Sequence, residues 1–449
     1  MAHGGGVWLT QNKVLPGYYH NVVSAPKATA TLSDRGTVAI PFNLSWGEVG
    51  KVFIVERNDF LKNSMKIFGY DYTAPEMLAL REVFNHALKV VCYRLGATVT
   101  EGGDAVGHVP ASCTYATAKY PGTRGNAIKL EISQDADDEN GFVVRTIVGS
   151  SCADTQKVKA YSELVENDWV KFDKTGVTLA VTSGMPLTGG NTGTPTGKDY
   201  QDFLAAIEPY NFNILCCPVS DPDVIRNFFK ETESQRDDYG DKFQLVAYQP
   251  DADYEGVIGV WNKVTHPTIS DVEEHYSVYW VAGAEAGCAI NKTLTNTKYD
   301  GELDINVSYT QSELEEAINE GRLVFHNVNG EVRVLEDINT FTEVSNDKGD
   351  IFKSNQTMRT VDQISNDIAV TFCTRYLGKE QNDKPGRAAL WYDLVYYFRQ
   401  LEALRVIEDF DPEVITCELG EDKKSVLVTI AGLNIVNAMS KLYMTTVVK

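Results

Sequence analysis

The sequence contains no uninterrupted apolar run of 18 or more residues, so no helix capable of spanning a bilayer is expected. Its opening, MAHGGGVWLTQNK, lacks the basic end and apolar stretch of a secretory leader, and folding in the cytoplasm is the expectation. Basic charge is in short supply. Against 62 Asp and Glu stand 41 Lys and Arg, a formal net charge of −21, so a nucleic-acid backbone would meet long-range repulsion. Cysteine is sparse as well, with 8 in 449 residues, too few for a disulfide framework. Cys92, Cys216, Cys217, Cys288 and Cys373 lie in apolar stretches and read as reduced core thiols. Adjacent Cys216 and Cys217 would point to opposite faces of a strand, which excludes a metal pair or a CxxC redox motif there.

Catalytic spacing is missing too. None of the seven histidines forms H-x-x-x-H or stands near a cysteine pair, so a zinc site lacks its ligand spacing. His86, on a helix predicted to begin near Ala74, reads as a packed or surface residue. Gly193-Thr-Pro-Thr-Gly197-Lys198 is one residue short of a phosphate loop, and Asp199 stands where a hydroxyl should hold Mg²⁺. That carboxylate would repel phosphate, and a glycine-rich interdomain loop is the better reading. Thr182-Ser183-Gly184-Met185-Pro186 has the look of a serine-protease nucleophile turn, yet no G-x-S-x-G elbow exists. The run Asp135 to Glu139 offers oxygens for Ca²⁺ but no EF-hand register, and reads as a solvated turn. No catalytic, cofactor-binding or metal-binding residue is assigned, no cofactor is expected, and the chain reads as a non-enzyme.

What is present is ample material for cores. With 43% hydrophobic and 23% charged residues the composition is that of a folded protein, and 449 residues imply several domains. Residues 1–25, with Gly4, Gly5, Gly6, Pro16 and Gly17, read as an extended arm, and 26–96 as a small α/β domain. Thr73-Ala-Pro-Glu76 predicts a capping box before a helix whose apolar face is Met77, Leu80, Phe84, Leu88 and Val91. Residues 97–182 alternate in AIKLEIS, FVVRTIV and GVTLAV, predicting an inserted β domain of sandwich or barrel type. From 183 to 340 strands and helices alternate, which predicts an α/β domain with a largely parallel sheet. There Ser312-Glu-Leu-Glu315 predicts a second capping box, and Asn329-Gly330 a hairpin turn. Residues 341–449 read as an α+β domain. Val361, Ile364, Ile368 and Phe372 mark one amphipathic helix, and Leu390, Leu394, Phe398, Leu401 and Leu404 another. KKSVLVTIAG and KLYMTTVVK follow as strands, the latter an edge in need of a partner.

Blocks spread along the whole chain resemble the phage tail sheath family. They are GGVWLTQNKVLPGYYHN, RGTVAIPFNLSWG (Arg35 to Gly47), AKYPGTRGNAIKLEI (Ala118 to Ile132), LTGGNTG, NILCCP, AGAEAG and LEDINT (Leu335 to Thr340). MRTVDQISNDIA, Gly378-Lys379 through Asn382, Arg387 and KLYMTTVV continue the series in family order. The opening most resembles the shorter sheaths of Gram-positive phages and R-type bacteriocins. The resemblance implies a subtilisin-like fold without protease activity for the central α/β domain, a fold that carries no chemistry without its site.

It also implies a structural subunit that polymerises helically around an inner tail tube and contracts by rigid-body rearrangement to drive that tube through a cell envelope. Its partners would be identical sheath subunits, the tail tube protein, and baseplate and tail terminator proteins, without direct nucleic-acid or membrane contact. The particle would be a virion or a bacteriocin assembled in the bacterial cytoplasm. Strands lent to neighbours are expected at Val14, Leu15, Tyr18, Tyr19 and Val22, and at Leu442, Tyr443, Met444, Thr445, Thr446, Val447 and Val448. Hinges are expected at Pro16, Gly17, Gly432 and Asn437, and contacts to the tube at Asp393, Arg399, Glu402 and Arg405. A hydrolase or degenerate serine protease on the central domain, or a non-contractile virion protein, is the alternative.

Overall fold

The computed structural model describes residues 34–96 and 108–448. Val14, Leu15, Pro16, Gly17, Tyr18, Tyr19 and Val22 lie outside these residues.

Apolar runs buried on both faces build a seven-stranded sheet, as parallel sheets require. Its strands run in the order Arg322–Leu323, Val257–Val260, Gln244–Tyr248, Ile214–Cys216, Thr37–Phe42, Lys89–Arg94 and Val52–Glu56. Every neighbouring pair is parallel except the last. Residues 37–94 and 214–323 therefore share one sheet, with the expected boundary at 96/97 falling between two of its parts. Register pairs Val38 with Ile214 on one side and with Val90 on the other.

Side chains alternate between two cores on the two faces of this sheet. One gathers Val38, Ile40, Cys92, Cys216 and Val246 with Trp280 and Val281 of the helix Ser277–Gly287. The other gathers Ala39, Val91, Leu215, Cys217 and Leu245 with Phe203 of Gly197–Ile207 and Phe228 of Pro222–Ser234. Cys216 and Cys217 thus go to opposite faces, as a strand dictates. Cys373, expected in a core, is instead exposed.

Residues 109–191 form the β domain. Ile128, Leu130 and Ile132 of Ile128–Gln134 point inward at period two, and the sheet order is Ser151–Val158, Phe142–Val148, Ile128–Gln134, Thr182–Pro186. GVTLAV is not a strand. Its place is taken by the following Thr182–Pro186, which pairs antiparallel with Ile128–Gln134. Trp46 inserts into this core, 5.0 Å from Trp169 and edge-on to Tyr120 at 5.3 Å.

Several helix boundaries differ from expectation for identifiable reasons. Thr73 caps nothing, because its N–H and hydroxyl both turn back to Asp71 Oδ1. The helix Leu78–Phe84 stops before Leu88, which is exposed, and Val91 belongs to a strand. At Gln311–Asn319 the capping box is Thr310 with Glu313, two residues ahead of the expected one. Asn329-Gly330 does form the hairpin turn, with φ of 53° and 87° joining Phe325–Val328 to Glu331–Val334. In Asn355–Thr371 the apolar-face expectation inverts: Gln356, Thr357, Arg359, Thr360, Asp362 and Gln363 are buried, while Val361, Ile364 and Ile368 are only partly covered. These polar groups have distant partners, including Asp362, which accepts from both Arg236 nitrogens at 2.7 and 2.9 Å.

The unit comprising residues 367–434 is organised on the helix Lys384–Ala403. Asp383 caps it by accepting from Gly386 N–H at 2.8 Å, and Leu390, Leu394, Tyr397, Phe398 and Leu401 form its buried stripe. Leu404, expected to join them, is exposed beyond the helix end. A two-stranded antiparallel sheet, Ile415–Leu419 with Val426–Ile430, lies against this helix, and Trp391 Nε1–H donates to Ile415 O at 2.9 Å.

Candidate functional site

The fragments that look catalytic are all occupied by structure. Thr196 N–H and its hydroxyl both donate to Asp199 Oδ2 at 2.7 Å, so Asp199 closes the N-terminus of Gly197–Ile207 where a phosphate would have to sit. Ser183 lies inside a strand. In the acidic turn, Lys157 reaches Asp135 at 3.1 Å and Asp137 at 3.2 Å, and Lys159 reaches Asp138 at 2.7 Å. Among the described residues no group of three or more His, Cys, Asp or Glu is arranged to hold a metal ion. His86 stands just past the helix Leu78–Phe84, edge-on to Trp280, with Nε2 at 3.0 Å from Asp300. Burial pushes the Cys216 and Cys217 thiols well above their usual range, which leaves both inert at neutral pH.

The segment 439–448 is exposed throughout. Up to Ala438 the chain is tied down. Gln356 Nε2–H donates to Val436 O at 3.3 Å, Asn437 Nδ2–H donates to Thr357 Oγ1 at 3.1 Å, and Ala438 N–H donates to Gln356 Oε1 at 3.0 Å. Asn437 is thus an anchor point, whereas Gly432 has φ of +71° and open space around it. After Ala438 the expected strand is not formed within its own chain. Leu442, Tyr443, Met444, Val447 and Val448 are each at least 78% exposed, and Thr445 and Thr446 are exposed between them. Apolar residues at such density do not stand in water without reason.

The four residues expected to face a tube fall into different settings. Asp393 is largely covered and accepts from Tyr376 Oη–H and Arg375. Arg399 is half-exposed, donating to Glu402 at 2.8 Å and lying over the Phe410 ring. Glu402 also accepts from Phe410 N–H at 3.1 Å. Arg405 is exposed, with φ of 60°. The exposed stripe of Lys384–Ala403 that includes Arg399 also carries Ala389, Tyr392 and Tyr396, the tyrosines 68% and 48% exposed.

Four family descriptions match in succession: the Gp18 domain III N-terminal region at 35–95, the β-sandwich domain at 100–192, the phage tail sheath central domain at 193–340 and its C-terminal domain at 347–449. The phage-like element PBSX protein XkdK of Bacillus subtilis is 32% identical over 98% of both chains. The chain belongs to the phage tail sheath family. A sheath tail protein from Desulfitobacterium hafniense is similar at 33% identity with a TM-score of 0.82, over 95% of this chain and 99% of that one. One from Listeria innocua follows at 30% and 0.77, over 94% and 96%. The helical sheath of the anti-feeding prophage in its contracted state shares the fold at 12% identity and a TM-score of 0.56, over 97% and 99%. The sheath protein is accordingly a structural tail component, multidomain and α+β with a β-sandwich domain. Among its described residues no helix is long and apolar enough to cross a membrane.

Proposed function

We propose that this sheath protein polymerises helically with copies of itself around an inner tail tube and contracts by rigid-body rearrangement, driving the tube through a target envelope without catalysis. The observation that carries the reading is the segment 439–448, exposed and unpaired in its own chain although its composition suits a strand. Added to a sheet of a neighbouring copy, it would gain several backbone hydrogen bonds at about 0.5–1.5 kcal/mol each, with alternate side chains packed on one face. Residues Val14 to Val22 are proposed as a second lent strand.

Contacts of this kind are heterologous, so they propagate a helix in place of a closed ring. Lent strands stay paired while domain bodies repack between two discrete arrangements, and the extended one is metastable. Gly432, free to turn, serves as a hinge, and the outward face of Lys384–Ala403 with Arg399, Glu402 and Arg405 serves as the tube contact. Baseplate and terminator proteins cap the polymer, in a virion or bacteriocin particle assembled in the bacterial cytoplasm. Related folds occur in the contracted helical sheath and the baseplate of the anti-feeding prophage, which fits this reading.

Deleting residues 441–449 tests it. The truncated protein should keep its circular dichroism and unfolding midpoint yet give no hollow tubes in negative stain. Tubes formed as readily as by the full chain would end the proposal.

A further inference from the structure

Arg94 closes the strand Lys89–Arg94, is 1% exposed and has no carboxylate in contact among the described residues. Neutral acceptors hold its guanidinium instead. It donates to Leu44 O at 2.6 Å and to Gly47 O, both in the loop after Thr37–Phe42, and to Pro121 O of the β domain at 2.8 Å. The fourth acceptor is His108 Nδ1, 3.3 Å from an Arg94 nitrogen. His108 Nε2 lies 2.7 Å from Leu95 O, which only accepts, so the ring proton sits on Nε2. Nδ1 must then be the bare lone pair that Arg94, which only donates, requires.

The joint around these groups is closely fitted. A Cβ at Gly69, with φ of +79°, would come within 2.7 Å of the Trp46 ring, and one at Gly122, with φ of +127°, within 2.1 Å of Ser45 O. Arg124 Nε–H donates to Gly69 O at 2.7 Å, and its guanidinium lies over the Tyr70 ring. The charged groups acting on His108 are Arg94 and, from the first turn of Gly197–Ile207, Asp199, while Tyr70 acts on Arg94. Burial and the Arg94 charge hold His108 below its usual range, against the pull of the Leu95 carbonyl and of Asp199.

We infer that His108 is an acid-sensitive latch on the joint between the β domain and the seven-stranded sheet. A proton gained at Nδ1 sets two donors and two positive charges face to face, and the contact of Arg94 with His108 and Pro121 gives way. Arg94 stays charged throughout, since burial lowers it only to about 10. Its bonds to Leu44 O and Gly47 O lie in the segment that follows the sheet's own strand, so the sheet keeps its register while the β domain loosens around Trp46. The neutral imidazole is the form that favours the closed joint. Its stabilisation is therefore complete above the unfolded value of about 6.5 and is lost as pH falls through the lowered folded value. None of this depends on strand lending.

Hydrogen exchange by mass spectrometry on the full chain, corrected for its intrinsic pH dependence, tests the latch between pH 7.5 and 4.5. In the wild type, exchange over 109–134 should quicken at least about fivefold in acid, the least that two unit charges in contact imply even in water, while Thr37–Phe42 stays protected. His108→Gln keeps a donor for Leu95 O and an acceptor for Arg94 but takes no proton, and should lose the acid response. His108→Lys carries the charge permanently and should exchange fast already at pH 7.5. Wild type and the Gln variant behaving alike at every pH overturns the latch, whether both respond or neither does. If the Gln variant does not fold, the wild type decides alone: loosening of 109–134 ahead of Thr37–Phe42 supports the latch, and loosening of both at the same pH overturns it.

Discussion

Arg359 ties three distant stretches of chain through one fully buried guanidinium. It donates to Glu285, to Asp337 at 2.7 Å and to Lys292 O at 3.2 Å. Burial pushes both carboxyls up. For Asp337 the Arg359 charge and the Leu294 N–H outweigh burial and hold it at about 2, whereas Glu285, with Asp337 as an added repulsion, rises well above the usual range. Arg359, with the buried Arg35 contributing a weaker attraction to Glu285, thus faces two carboxyls, of which Glu285 is the one pushed toward its neutral form. Arg359→Ala leaves Asp337 charged, buried and unpaired, and should lower unfolding free energy by about 3–5 kcal/mol in urea titration. Arg359→Lys should recover only part, because an ammonium cannot span both carboxyls. Glu82 supplies a pH signature. Buried without a cation in contact, it accepts from Tyr299 Oη–H at 2.7 Å and Glu302 N–H at 2.6 Å, and burial raises it to about 7 from 4.5. Between those values the folded protein holds a proton that the unfolded chain releases, so this group's stabilisation is complete below pH 4.5 and lost as pH rises through 7. Glu82→Gln should remove a difference of about 3 kcal/mol from the stability change between pH 4.5 and 7.5, read as the wild-type minus variant slope.

At the scale of elements, the helix Ser277–Gly287 is buried nearly all round, and two glycines let it approach its neighbour. A Cβ at Gly283 would come within 2.3 Å of Val83 O, and one at Gly287 within 2.4 Å of His86 O. Gly283→Ala should therefore cost about 1–3 kcal/mol, seen as a lower thermal midpoint, and Gly283→Val more. Elements of this body were readable in proportion to how local their cause is. The alternation of strands and helices over 183–340 was readable because burial on both faces makes the central strands largely apolar runs, and Asn329-Gly330 reads as a turn because both residues tolerate positive φ. Helix starts slipped by a few residues wherever several Ser, Thr or Asp competed for the cap. The polar face of Asn355–Thr371 was not readable at all, since Asp362 finds Arg236 126 positions away and Arg359 finds Glu285 74 positions away. Likewise, alternation in 441–448 suggests a strand but says nothing about whose sheet it joins.

At the scale of the whole molecule, net charge of −21 means that every added copy meets repulsion from those already assembled. Raising ionic strength from 10 to 150 mM shortens the screening length from about 30 to about 8 Å. Tube growth followed by scattering should therefore accelerate over that range, and a slowing would assign control to local attraction between subunits. The shared seven-stranded sheet has a consequence during synthesis. The strand Thr37–Phe42 must wait for Ile214–Cys216, and the β domain is made in between. At 5–20 residues per second, the roughly 120 residues from 94 to 214 take about 6–24 s. For that interval the first three strands leave the ribosome as a nascent half-sheet whose apolar margin stays open to mispairing until Ile214–Cys216 arrives.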